Sequence, residues 1–303
     1  MKVAMLGRDS KFGIGTHMKS LIKSLREQGV DVQEEYGLTN FGAVQKAKKL
    51  DRQGLDLIHV QGSPFGCKTK TPMVVTVHSL LRTEWHYEKS VKFYLGRYFE
   101  KVTLDNASKL ISVSHTLRDE LTKNYGVPSQ KIEVIPNFVD ISEFEALNQE
   151  STNPRTAMSC GRNVKRKDFI TFRKACESIG LNYNVFHGEL SRERLIREIK
   201  KSFVFVMPSL YESFGIVLLE AMACKRPVIS TLIPSSVEVM NMESGFFFSP
   251  RNIDQLSGYL TMLRDNEKLC ECMGMKGYQH VKENFNPEKV VKETIHVYED
   301  VLR

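Results

Sequence analysis

The sequence predicts an α/β protein built as two doubly wound lobes. Three observations carry this. Short apolar runs of strand length alternate with segments of helical period along most of the chain. One polar stretch, residues 148–155, lacks any large apolar residue and interrupts the alternation, which then resumes. The length, 303 residues, suits two domains of ordinary size, and 41% hydrophobic residues suffices for packed cores.

The elements follow in order. Residues 2–6 read as a short buried strand, and residues 7–16, with three glycines, as a loop. Residues 17–28 carry Met18, Leu21, Ile22 and Leu25 at helical spacing, with Gly29 as C-cap, and residues 30–32 restart a strand. Strands are read at 55–60, at 72–77 ending on His78, at 109–113 and at 131–135, and helices at 91–104 and 116–125. Beyond the linker, strands are read at 156–160, 182–186, 203–207 and 227–230. Helices are read at 169–179, at 191–201 opened by Ser191, and at 216–224; the rest is expected to be mostly helical. Ligands of such lobes bind at the C-terminal ends of the strands.

Composition narrows the function. A net charge of +7 fits an anionic partner: nucleic acid, a membrane surface or a phosphorylated ligand. No zinc-finger or RRM signature supports nucleic acid. The six cysteines, Cys67, Cys160, Cys176, Cys224, Cys270 and Cys272, contain no CxxC pair and read as reduced thiols. No stretch of 18 apolar residues occurs, and the short apolar opening does not read as a secretory signal, so the cytoplasm is the expected location.

The strongest chemical signal is residues 208–223. Glu212 follows a buried strand, and Gly215 sits where a helix begins, letting backbone N–H groups approach a phosphate. The apolar run 216–219 is expected to pack this helix on the sheet. Glu220 follows Glu212 by eight residues, about 12 Å of helix rise, too far for the carboxylate pair of a glycosidase. The two carboxylates suit two parts of one long ligand, since carboxylates accept hydrogen bonds from sugar hydroxyls. A capped helix with one exposed glutamate is the structural alternative. Arg162 and Lys167 follow Ser159-Cys160-Gly161; with Lys165 and Arg166 beside them, they also read as a solvated basic loop.

This region resembles the E-x7-E segment of the family 4, group 1 glycosyltransferases. So do Ser159-Cys160-Gly161-Arg162 with Lys167, residues 131–140 (Lys-Ile-Glu-Val-Ile-Pro-Asn-Phe-Val-Asp), Val113-Ser114 and the C-terminal stretch from Phe285-Asn286-Pro287 to Tyr298. The resemblance implies the GT-B fold, two Rossmann-like doubly wound lobes facing a central cleft. It implies an N-terminal acceptor-side lobe at 1–147, a nucleotide-sugar-binding lobe at 148–284, and a helix at 285–303 returning to the first lobe. It implies a retaining transferase moving a hexose-type sugar from a UDP- or GDP-linked donor to a glycan or lipid-linked acceptor, with no metal and no other cofactor.

Carried over by residue, the resemblance places Arg162 and Lys167 on the leaving diphosphate, Glu212 on hydroxyls of the transferred sugar and Glu220 on the nucleotide ribose. Backbone N–H groups of Phe214, Gly215, Ile216 and Val217 touch sugar and phosphate. The loop with Gly13 and Gly15 approaches the donor, and His78 faces the transferred sugar. Cations set where negative charge develops stabilise a transition state. His17, His59, His115 and His187 receive no role. The sequence departs from the family at residues 234–238, Pro-Ser-Ser-Val-Glu, where Gly-Gly usually precedes the late glutamate, here Glu238. The segment 82–102 mixes cations with aromatic residues and reads either as a contact for an anionic membrane or as a helix with an aromatic core side and a basic outer side. An epimerase or hydrolase of nucleotide sugars, a silent subunit and a nucleic-acid-binding relative are the alternative readings.

Overall fold

The computed structural model describes residues 1–7, 14–36, 40–63, 65–89, 91–147, 153–188 and 190–303. The chain divides into two compact units: Met1–Asn137 with Pro287–Arg303, and Phe138–Asn286.

The first unit contains β1 (Lys2–Gly7), α1 (Ile14–Glu27), β2 (Asp31–Tyr36), α2 (Asn40–Leu50), β3 (Leu57–Gln61) and β4 (Met73–Val77). It continues with α3 (Leu81–Glu88), α4 (Val91–Asn106), β5 (Lys109–Ser112), α5 (His115–Tyr125) and β6 (Ile132–Val134). The six strands form one parallel sheet in the order β2-β1-β3-β4-β5-β6. The sequence reverses direction around β1, so β1 and β3 flank the switch point where ligands of doubly wound sheets bind. β3 and β4 are buried along their whole length, which is why they read as continuous apolar runs.

The second unit contains α6 (Ile141–Glu145), β7 (Asn153–Cys160), α7 (Phe169–Ser178), β8 (Asn182–Phe186), α8 (Arg192–Lys201), β9 (Ser202–Met207) and α9 (Ile216–Ala223). It ends with β10 (Val228–Thr231), α10 (Pro234–Val239), β11 (Gly245–Phe248), α11 (Ile253–Arg264) and α12 (Glu267–Asn284). Its five parallel strands run β11-β10-β9-β7-β8, the same winding as in the first unit, with the switch point between β7 and β9. The core gathers Ala157, Phe172, Val204, Val206, Ile229 and Leu260 from strands and helices. The last helix, α13 (Pro287–Leu302), packs on α1 of the first unit and buries Val290, Val291, Thr294, Val297 and Tyr298.

Several boundaries differ from the sequence reading. α1 starts at Ile14, so Gly15 lies in its first turn rather than in a loop; a glycine there disturbs few intrahelical bonds, because the first N–H groups have no helical partner in any case. β7 starts at Asn153, inside the stretch read as linker, and its register with β9 shifts between Asn153 and Ala157. Residues 148–152 of that stretch lie outside the described residues. The C-terminal part contains β11, a strand of four residues.

The segment 82–102 is two helices, not one. They meet at Lys89, which caps α3 in a left-handed conformation. Among the described residues, Glu84 and Glu100 are buried and Trp85 and Tyr87 half-buried, while Tyr94, Tyr98 and Phe99 are exposed. Glu100 accepts from Ser63 Oγ at 2.7 Å, from the Leu81 N–H and from Tyr125 Oη, so a buried carboxylate helps to tie α4 to its neighbours. The side chains of Lys92 and Phe93 lie outside the described residues.

Candidate active site

The second unit places its candidate residues on the two loops that leave β7 and β9 at the switch point. Arg162 and Lys167 lie on the first loop and Glu212 on the second. Lys167 Nζ donates to Glu212 Oε1 at 2.5 Å, and Arg166 Nη1 reaches Glu212 Oε2 at 3.3 Å. Arg166 also joins the loops through the backbone. Its carbonyl accepts from the Leu210 N–H at 2.7 Å, and its guanidinium donates to the Tyr211 carbonyl at 3.1 Å. The expectation of a solvated basic loop therefore fails at Arg166, which is 5% exposed. Arg162 is exposed on the same loop.

Two glycines make this arrangement possible. Gly161 has φ +150°, and a Cβ there would stand 2.9 Å from Lys167 Cε, so the lysine can lie across it only because it has no side chain. Gly215 caps α9 with φ 93°. α9 has no side-chain cap and no acidic residue in its first turn. Its N-terminal N–H groups, from Gly215, Ile216 and Val217, thus form a positive end without a built-in anion. Phe214 is buried against Phe285, ring centroids 6.0 Å apart. Of the run 216–219, only Leu218 and Leu219 are buried; Ile216 and Val217 are half-buried.

Electrostatics confirm that Glu212 is a held anion. Burial raises its carboxyl, but the Lys167 ammonium and Arg166 guanidinium outweigh it and bring the carboxyl down to about 2. Glu220 lies in α9 with different partners. Arg192 donates to it, and the same guanidinium holds Glu143 through Nε at 2.9 Å and Nη2 at 3.1 Å. Arg192 is the first residue of α8, behind its cap Ser191, and lies over the Phe144 ring at 5.0 Å. Glu220 is therefore not the exposed glutamate of a merely capped helix. Glu238 is half-buried in α10.

In the first unit, His78 follows β4 directly and is buried. Gln61 ends β3 and accepts from His78 Nε2 at 2.8 Å. Two residues earlier on the same face, His59 contacts Thr76 Oγ1 at 2.7 Å, Tyr298 Oη at 2.6 Å and Gln61 Nε2 at 3.2 Å. His17 of α1 stands edge-on to His78, ring centroids 5.6 Å apart. Burial lowers His17 to about 4, and burial with the neighbouring His17 lowers His59 to about 3. Burial, then His17 and His59, hold His78 well below the usual histidine range, so the cluster is neutral at pH 7. Among the described residues no group of three or more His, Cys, Asp or Glu could hold a metal ion. Gly15 lies in the first turn of α1; Gly13 lies outside the described residues.

Arg192 and Gln61 were absent from the sequence reading, Arg166 entered it only as part of a basic loop, and His59 was given no role. Only β3 carried a signal, polar side chains two apart in an otherwise apolar strand, at His59 and Gln61. Arg166 and Arg192 looked like ordinary surface charges.

Two parallel sheets of one winding, one carrying a cation–carboxylate cluster and an uncapped helix N-terminus at its switch point, define a two-lobed α/β architecture whose second sheet offers positive groups to an anion. The comparisons narrow this. The model of group 1 glycosyl transferases matches residues 141–280, and the model of glycosyltransferase family 4 matches residues 35–143. An uncharacterised glycosyltransferase of Methanocaldococcus jannaschii is 27% identical, over 95% of each chain. Among solved structures, sucrose-phosphate synthase from Thermosynechococcus elongatus superposes with a TM-score of 0.82 at 18% identity, over 99% of both chains. Anabaena HepE in complex with UDP does so at 0.73 and 15% identity, over 99% of this chain and 100% of that one. The chain belongs to the family 4, group 1 glycosyltransferases, and it transfers a sugar from a nucleotide-sugar donor.

Proposed function

We propose that this enzyme is a retaining transferase that moves a hexose-type sugar from a UDP-linked donor to a glycan or lipid-linked acceptor, a GDP-linked donor being the alternative the test below separates. The observation that carries the reading is the Lys167–Glu212 pair beside the uncapped start of α9. Lys167 holds an anion already, and a diphosphate offers it a second one, with the N–H groups of Phe214, Gly215, Ile216 and Val217 as further donors. Arg162, exposed on the same loop, adds the second cation. Glu212, kept ionised by Arg166, accepts from hydroxyls of the transferred sugar, and Glu220 accepts from the ribose. Gly13 and Gly15 border the donor, and His78 contacts the sugar. The UDP found in the Anabaena structure supports a uridine donor.

In the proposed reaction the acceptor oxygen bonds to the anomeric carbon on the face from which the diphosphate departs. The bond from that carbon to the phosphate oxygen breaks. The acceptor's hydroxyl proton passes to the leaving diphosphate, whose charge Arg162 and Lys167 balance. The positively charged sugar in the transition state is the species that the neutral imidazole of His78 tolerates.

No helix among the described residues is long and apolar enough to cross a membrane. For a lipid-linked acceptor, we propose that α3 and α4 touch an anionic membrane surface, with Val91, Tyr94, Tyr98 and Phe99 exposed beside Lys89 and Arg97. The test is incubation with UDP- and GDP-linked hexoses, reading nucleotide release with and without candidate acceptors and the anomeric configuration by proton NMR. Acceptor-dependent release with a retained anomer is expected. Turnover of donor without any acceptor, or an inverted product, contradicts the reading.

A further inference from the structure

The buried polar chain of the first unit contains more order than a contact for one histidine requires. It runs from His78 through Gln61 to His59, and from there to Thr76 and Tyr298. His59 and Tyr298 are fully buried, and Gln61 and Thr76 nearly so. The two joints at Gln61 have a direction, because an amide has one end that only accepts and one that only donates.

Met5 sets the direction. Its sulfur lies 3.4 Å from Gln61 Nε2, and a thioether can only accept, so the amide NH2 faces β1 and His59. His59 Nε2, at 3.2 Å from that NH2, must then be the bare nitrogen. The Thr76 hydroxyl, at 2.7 Å, donates to the same lone pair, the longer amide contact sharing it. The proton of His59 is thereby on Nδ1, where it is donated to Tyr298 Oη at 2.6 Å. At the other end, the Gln61 carbonyl oxygen can only accept, so His78 carries its proton on Nε2. A neutral imidazole has one proton, which leaves His78 Nδ1 as a lone-pair acceptor.

We infer that Gln61 is a positioning residue that fixes His78 as the Nε2–H tautomer, and that His59, Thr76 and Tyr298 hold the Gln61 amide the right way round. His78 then meets its ligand as a hydrogen-bond acceptor through Nδ1 and recognises a hydroxyl that donates. This last step rests on the proposed contact between His78 and the transferred sugar. The chain also gives α13 a part in the site: Tyr298, distant in sequence from His78, sets its protonation pattern through two side chains, His59 and Gln61. His17, edge-on to His78, makes a charged His78 unfavourable and so supports a single neutral state.

The tautomer is measured directly on the full chain by long-range proton–nitrogen NMR with nitrogen-15-labelled histidine, the His78 signals being assigned from a His78→Asn variant. The inference expects wild-type His78 with its protonated nitrogen at Nε2 and His59 with its own at Nδ1. Gln61→Leu should mix the His78 tautomers and lower kcat by about tenfold, with a smaller change in KM. Tyr298→Phe keeps the packing volume and should shift the His59 nitrogens first, with a loss of roughly threefold in kcat. A wild-type His78 protonated at Nδ1 overturns the inference, as does a Gln61→Leu protein whose His78 nitrogens are unchanged. The proposed sugar contact fails separately: a His78→Asn enzyme with unaltered turnover contradicts that contact, whatever tautomer the wild type shows.

Discussion

The two lobes have the same strand winding and opposite chemistry at its switch point. In the second lobe, the loops after β7 and β9 carry fixed charges: Arg166 and Lys167 surround one ionised glutamate. In the first, β3, which flanks the switch point, and the end of β4 beside it carry a neutral chain of imidazoles and one amide. Topology therefore selects the place, and the side chains select what is bound there. Charge suits a diphosphate, and neutral donors and acceptors suit hydroxyl groups.

The contrast predicts different ways of breaking each lobe. The largest effect should come from Arg166→Leu, which removes the tie between the two loops and one partner of a buried ion pair. It should lower unfolding free energy by about 3–5 kcal/mol, read by urea denaturation, while Arg162→Ala, on an exposed side chain, stays near wild type. Equal losses from both would remove the distinction between a tying and a ligand-facing cation.

Acid should then separate the lobes. Glu212 has a folded value of about 2 against an ordinary 4.5. Its contribution is complete above about pH 4.5 and is lost as the pH falls toward 2, about 3 kcal/mol in all. The buried histidines are also lowered, from 6.5 to about 4 for His17 and about 3 for His59. Their contribution begins to fall already below pH 6.5, because the unfolded chain takes up protons there first. Hydrogen exchange followed by mass spectrometry should show the first lobe losing protection between pH 6.5 and 4, and the second only below 4.5. Simultaneous loss in both lobes would contradict the assignment of neutral and charged clusters.

A smaller effect concerns Arg192. Its removal frees Glu220 from a shared guanidinium, so Arg192→Ala should weaken nucleotide binding by roughly tenfold, with Glu143→Gln intermediate, in a calorimetric titration. Smallest is Ser191→Ala, which removes the cap that accepts from the Arg194 N–H; it should cost about 1 kcal/mol by thermal melting and leave nucleotide affinity unchanged.

Much of the fold was legible because parallel strands buried on both faces read as apolar runs. The elements that escaped have physical reasons. α2 buries Ala43, Ala47 and Leu50, and small side chains leave a weak periodic signal. α3 buries Glu84, so its pattern is inverted. β11 is short, and its Gly245 comes so close to the Val228 carbonyl that a Cβ would overlap it, a constraint visible only once the strands are paired. At the candidate site, Lys167, Glu212, Gly215 and Glu220 could be singled out from the sequence because the family's motif spaces them along one stretch or places them after a strand, and the structure gives Lys167, Glu212 and Glu220 charged partners. Arg166 and Arg192 were not, because burial and partner choice, rather than residue type, separate them from the surface arginines around them.

On the proposed function, the second lobe's switch point takes the diphosphate of the donor. This is tested most directly by isothermal titration of UDP into the wild type and into Lys167→Ala, with folding checked by circular dichroism. One site is expected in the wild type, lost or weakened at least a hundredfold in Lys167→Ala and unchanged in Gln61→Leu. Folded wild-type protein that binds neither UDP nor GDP, or a Lys167→Ala protein that binds as the wild type does, would contradict it.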